Sequence, residues 1–174
     1  MIDLENLKSI APDLTESWAT SRLEAAVFCL DYNGHRSKIK MNVSPNNNSF
    51  VLQWKTNIDQ RVKNTWNDVQ EATEKGAEGI AVILVNELTQ YKVIRRSVKK
   101  TGIDYWLGYK ENEILLFQDA ARLEISGLID GTNGEFNRRV KDKSEQVKQS
   151  NATRLPAYIS ITDFGEPRTM FKKL

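Results

Sequence analysis

Two carboxylates, Asp104 and Glu124, are the residues of this chain best suited to chemistry. Asp104 follows Gly102 and Ile103, where the backbone can bend, and Glu124 stands twenty residues later. Glu124 lies inside Ala120 to Leu128, where apolar and polar side chains alternate as they do on a strand. A carboxylate between Leu123 and Ile125 is costly to bury unless water or a cation partners it. A hard divalent cation takes one or two protein carboxylates and completes its shell with water and phosphate. Such an ion polarises a phosphoryl oxygen and makes hydroxide available near neutral pH. Asp104 and Glu124 are therefore the candidate metal ligands and catalytic residues, with Mg2+ or Mn2+ as the expected cofactor. Arg122 and Ser126 share the strand face of Glu124. Ser126 can donate a hydrogen bond without charge. Arg122 brings charge but stays protonated, so it cannot act as a base.

The remaining composition narrows the alternatives. One cysteine, Cys29, rules out a disulfide within the chain, and with one histidine, His35, there are too few ligands for a structural zinc site. His35 follows Asn33-Gly34, a turn signal, which is a poor place for the base of a catalytic triad. The net charge of +2 decides little, but its distribution is uneven. Lys92, Arg95, Arg96, Lys99 and Lys100 fall between Tyr91 and Ile103 with no acid among them. A second group, Arg138, Arg139 and Lys141 with Lys143 and Lys148, follows Glu124. Both groups are candidate contacts for a nucleic-acid backbone. The ordinary alternatives are an edge strand kept soluble by charge and a solvated helix face, since Asp142 and Glu145 interleave the second group. Trp106, two residues beyond Asp104, is suited to stack on a base or to fill a core. No apolar run approaches the roughly 18 residues of a membrane span. The N-terminus lacks a signal-peptide pattern, so a cytoplasmic protein with no membrane partner is expected.

The elements that must position these groups are expected as follows. A short helix runs over residues 2 to 10 and ends at Pro12. Arg22 to Asp31 reads as a buried strand, and Asn33-Gly34 as the turn of a hairpin to Lys38–Val43. Ser49 to Trp54 is a third strand. Ile58, Val62, Trp66, Val69 and Ala72 share a helical face, with Asn57 as N-cap and Gly76 and Gly79 at the end. Ile80 to Val85, six apolar residues in a row, reads as a central strand. Strands follow at Tyr91–Ser97, Thr101–Tyr109 and Ala120–Leu128, with another apolar run at Ile114–Phe117. Thr132 and Glu135 form a capping box for a second helix with a stripe of Phe136, Val140 and Val147. Ala157 to Phe164 and Arg168 to Leu174 are the last strands. Helices mixed among strands predict an α/β (α+β) domain with a mixed central sheet flanked by helices.

The element order over residues 57 to 164, with the stretches G-I-D and L-E-I-S-G, resembles the restriction-endonuclease-like superfamily, the PD-(D/E)XK nucleases. The core of that superfamily runs helix, three strands, helix, strand. Its motif is an aspartate on the second core strand and E-x-K on the third, and a further acid often comes from the first helix. The resemblance implies one domain over residues 1–174, a nuclease-like core at 57–164, and an N-terminal helix and strand extension at 1–56 bearing a β-hairpin. Asp104 and Glu124 would be the motif acids, and Glu71 or Glu74 the helical acid, with Glu74 completing the metal set. The implied activity is Mg2+-dependent hydrolysis of nucleic-acid phosphodiesters, in a bacterial setting. The lysine position, however, is Ser126, and loss of such a group costs on the order of 10² to 10⁴ in rate. By the resemblance Ser126 and Arg122 would assist catalysis in its place, and Lys141 is a further candidate substitute. Some members of the superfamily have moved this lysine, and others have lost catalysis. An inactive module binding nucleic acid or a protein partner is therefore the second expectation, as a homodimer or within a larger assembly.

Overall fold

A computed structural model describes residues 1–111 and 118–174. The apolar run expected at Ile114–Phe117 lies outside the described residues. Strand β1 (Ile2–Asp3) leads through a 3-10 turn (Leu4–Asn6) into α1 (Leu7–Ile10) and then α2 (Glu16–Tyr32). A hairpin of β2 (Ile39–Ser44) and β3 (Asn48–Gln53) precedes α3 (Gln60–Thr65) and α4 (Val69–Leu88). There follow β4 (Tyr91–Arg96), β5 (Tyr105–Tyr109), β6 (Ala121–Leu128) and α5 (Asn133–Gln146). A 3-10 segment (Val147–Thr153), β7 (Ala157–Asp163) and β8 (Arg168–Lys173) complete the described chain. The strands form one eight-stranded mixed sheet in the order β1-β3-β2-β8-β7-β6-β5-β4. Strands β4, β5 and β6 run antiparallel in sequence. The α5 crossover makes β7 parallel to β6, and β8 turns back antiparallel to β7. Residues 2–53 belong to this same sheet through β1, β2 and β3, with β2 parallel to β8.

Two expected strands are helical. Arg22–Asp31 lies within α2, and Ile80–Val85 is the middle of α4. In α4 every residue from Gly76 to Val85 is buried, because the helix has α2 on one side and the sheet on the other. A helix buried all round shows no amphipathic period, so its apolar run looks like a central strand. Gly76 and Gly79 do not end the helix; they let the two helices touch. A Cβ on Gly76 would lie 3.0 Å from Ala26 Cα, and one on Gly79 would lie 3.1 Å from the Arg22 carbonyl oxygen. The single helix expected from Asn57 is two helices. Asp59 caps the first, and Asp68 caps α4 by accepting from Gln70 N (3.0 Å) and Glu71 N (3.2 Å). The hairpin expected at Asn33-Gly34 is instead the end of α2, and the observed hairpin joins β2 to β3.

Other local signals hold in the fold. Thr132 and Glu135 form the capping box of α5, and Glu135 Oε2 accepts from Thr132 N at 2.9 Å. Phe136, Val140 and Val147 then pack on Ile159 and Ile161 of β7, building a second core opposite the one shared by α2 and α4. Among the described residues no helix is long and apolar enough to cross a membrane.

Candidate metal and phosphate site

The site forms where β5 and β6 part. Tyr105 is the first residue of β5 paired with β6, opposite Leu123. Just before it, Asp104 N donates to the Leu123 carbonyl at 2.8 Å, and Asp104 Oδ2 accepts from Ile125 N at 2.8 Å. The carboxylate thus takes over the next rung of the ladder and lies beside Glu124. Gly102 brings Asp104 in at φ +75°, and any Cβ there would meet the Gln146 carbonyl oxygen at 2.4 Å. The turn carrying Asp104 therefore rests directly on the last turn of α5, and only glycine fits.

Glu124 points from β6 toward that same helix end. Its Oε1 accepts from Lys143 Nζ at 2.5 Å and from Gln146 Nε2 at 2.9 Å. Lys143 Nζ also donates to Gln146 Oε1 at 3.0 Å, closing a three-membered ring of contacts. Glu124 Oε2 is buried and has no donor among the described residues. The Asp104 and Glu124 carboxyls are within hydrogen-bonding reach of one another, so apart from a bound cation they favour sharing one proton. Burial, and then the charge of Asp104, push the Glu124 carboxyl up to about 8; Lys143 opposes this without overcoming it. Asp104 is also raised, chiefly by burial, with the Ile125 N–H and Lys143 pulling the other way.

An open cleft of about 570 Å³ has Asp104 and Lys143 in its walls, while Glu124 is buried and outside its lining. The α4 side holds a carboxylate the sequence reading missed. Glu78 is buried and bound by Arg22 (2.9 Å), Lys75 (3.4 Å), Arg96 (3.2 Å) and the Tyr105 hydroxyl (2.7 Å). Burial alone would raise Glu78, but Arg22, the Tyr105 hydroxyl, Lys75 and Arg96 together hold it below the usual range. Glu78 therefore stays ionised and secures Arg96 at the cleft. It was missed because Ile80–Val85 reads as a strand, which puts Glu78 in a loop. The pattern of Glu74 and Glu78 one helical turn apart would have exposed it had α4 been extended. Lys143 and Gln146, rather than the expected Lys141, reach Glu124 from α5. Lys143 falls in the Phe136–Val140–Val147 stripe, and a lysine inside an apolar stripe is the signal that it faces inward.

The other expected residues separate into three groups. Ser126 and Arg139 belong to the cleft, and Arg139 donates to Ser126 Oγ at 2.8 Å. Arg96 lines the cleft too, and Glu74 is exposed at its rim beside Gln70. Glu71 is exposed on α4 and outside the cleft lining. Lys92 is committed to Asp13 at 2.7 Å, and Arg95 to Asp119 at 2.5 Å while covering Trp106 at 5.2 Å. Trp106 packs against the second core, under that guanidinium. Lys99, Lys100, Arg138 and Lys141 are exposed.

Arg122 does not join the carboxylates. It is on the Glu124 face, as the strand period requires, but its guanidinium turns to the 3-10 segment after α5. It donates to the Leu155 carbonyl (2.7 and 3.0 Å), Ser150 Oγ (2.9 Å) and Asn151 Oδ1 (3.2 and 3.3 Å). Its role is to hold that segment against the sheet. Arg122→Met is expected to destabilise the fold by about 2–4 kcal/mol, because it strands buried acceptors. Urea denaturation measures this. A variant of unchanged stability would contradict the structural role.

Among the described residues no cluster of three or more His, Cys, Asp or Glu side chains forms a ready metal cage. Comparison with protein-family models, curated proteins and solved structures returned no match.

Proposed function

We propose that this chain is a divalent-metal-dependent nuclease of the restriction-endonuclease-like kind, hydrolysing nucleic-acid phosphodiesters. One observation carries the reading: Glu124 Oε2 is buried without a donor, beside a second carboxylate whose proton affinity is also raised. A divalent cation relieves both, and two carboxylates are what Mg2+ or Mn2+ ordinarily takes from a protein. Asp104 and Glu124 would hold it. When bound, the ion would supply Lewis-acid polarisation and a hydroxide near neutral pH. The order α4, β4, β5, β6, α5, β7 supports the same reading, with Asp104 immediately before the second of its strands and Glu124 on the third.

The remaining work falls to residues of α4, β4 and α5. Lys143 brings its ammonium to Glu124 from α5, in place of a lysine at position 126. There it steadies the attacking water and the negative charge that grows on the phosphoryl group. Gln146 fixes both Lys143 and Glu124, the kind of outer contact that orients ligands. Ser126 holds one nitrogen of Arg139, leaving the rest of that guanidinium to face phosphate oxygens. Arg96, fixed by Glu78, offers a second guanidinium at the cleft.

The test is incubation of supercoiled plasmid and single-stranded DNA with Mn2+ or Mg2+. Nicked, linear or shortened products are expected, and EDTA or Glu124→Ala should abolish them. Equal cleavage by wild type and Glu124→Ala would remove the nuclease reading. DNA binding that weakens steeply with salt, without cleavage, would favour the inert binding module instead.

A further inference from the structure

The cleft is continued at its Val69 end. Val69 also lines a second hollow of about 360 Å³ between α2, α3 and α4, walled by Phe28, Tyr32, Lys63, Trp66 and Asn67. Tyr32 is 59% exposed, the one aromatic among the exposed large hydrophobic residues described. Its ring is tilted against Phe28, at a centroid distance of 6.0 Å and an interplanar angle of 42°. Trp66 beneath is fixed by its Nε1–H to Glu24 at 2.9 Å. The next residue, Asn33, ties this end of α2 to the catalytic cleft. Its Nδ2 donates to the Cys29 carbonyl (3.0 Å) and to that of Ile129 (2.7 Å), and Ile129 lines the cleft. The charged residues that line the hollow are Lys63 and Asp31. Lys63 is exposed, and the acid at the rim, Asp31, is already paired with Arg36 at 2.9 Å.

These features suit a single-stranded polynucleotide. Val69 stands nine residues of α4 before Glu78, or about 14 Å along the helix axis at 1.5 Å per residue. Glu78 and Asp104 line the same cleft, so a strand with one phosphodiester at Asp104 covers that length of α4 within a few nucleotides. An exposed aromatic ring beside the Lys63 ammonium offers base stacking plus phosphate contact, and stacking needs a base face that a duplex neighbour does not already cover. We infer that Tyr32, with Lys63 beside it, is a base-stacking subsite continuous with the cleft, and that it selects single-stranded over duplex nucleic acid. This inference rests on the nuclease reading for the purpose of the cleft.

The test uses the full chain and a fluorescein-labelled 12-nucleotide single strand and its duplex, with fluorescence anisotropy in EDTA so that nothing is cleaved. Wild type is expected to bind the single strand more tightly than the duplex. Tyr32→Ala should weaken single-strand binding about 10- to 100-fold and leave duplex binding unchanged, whereas Tyr32→Trp should retain it. Hydrolysis of bis(p-nitrophenyl) phosphate with Mn2+, a substrate too small to reach Tyr32, should be the same in wild type and Tyr32→Ala. If wild type binds and cleaves but Tyr32→Ala binds the single strand equally well, the subsite is overturned and the nuclease reading stands. Loss of single-strand and duplex binding together would also overturn it. A wild type that neither binds nor cleaves nucleic acid would remove both.

Discussion

Lys143→Met is expected to lower the metal-dependent cleavage rate on the order of 10²- to 10⁴-fold. The methionine keeps the apolar stem that packs along α5 and removes only the ammonium. That ammonium is the one cation bonded to Glu124 among the described residues. Its charge matters most where negative charge develops on the phosphoryl group, so the loss should fall on kcat with little change in KM. The parallel change at Lys141, whose side chain is exposed, should alter the rate less than about threefold, as for a distant surface charge. Single-turnover kinetics on a labelled oligonucleotide separate the two. Full activity in Lys143→Met, or a large loss in Lys141→Met, would put the working lysine elsewhere.

The metal-free protein is expected to lose stability as pH rises through the window set by Glu124. The carboxyl has an ordinary value near 4.5 and stands at about 8 in the fold. Below 4.5 it is protonated in both folded and unfolded chains and contributes no difference. Between 4.5 and 8 the unfolded chain releases this proton while the folded chain keeps it, so stability falls as pH rises. Above 8 the loss levels off, at a total on the order of a few kcal/mol. Glu124→Gln removes this slope, and should make the metal-free protein more stable than wild type at pH 8 but not at pH 4.5. Asp104, also raised by burial, leaves a smaller slope of the same sign. Urea denaturation of both proteins across this range in EDTA measures the difference. Parallel curves for wild type and Glu124→Gln would show that Glu124 carries no such strain. Mn2+ should restore the lost stability in wild type at pH 8, because ligand binding to the folded state alone is stabilising.

What sequence could convey differs from element to element, for physical reasons. The alternation in Ala121–Leu128 places β6 and puts Glu124 on one face, since that strand has a distinct environment on each side. The Thr132–Glu135 capping box marks the start of α5 because it is a local hydrogen-bond pattern. Helices α2 and α4 carry no comparable signal. They are buried against each other and the sheet, and their close approach depends on Gly76 and Gly79, which out of context look like terminators. That error also concealed Glu78. The site divides in the same way. Asp104 and Glu124 are legible as carboxylates in unusual surroundings. The roles of Lys143 and Gln146 depend on how α5 rolls against β6, and the commitment of Arg122 depends on carbonyls of a segment roughly thirty residues further along.

A crystal of the wild-type protein soaked in Mn2+ and measured at the manganese absorption edge bears most directly on the site. We expect one strong anomalous peak between the Asp104 and Glu124 carboxylates, within about 2.0–2.3 Å of an oxygen of each, and none in crystals of Glu124→Ala. No peak there in the wild type, or a peak that persists without Glu124, would contradict the metal centre.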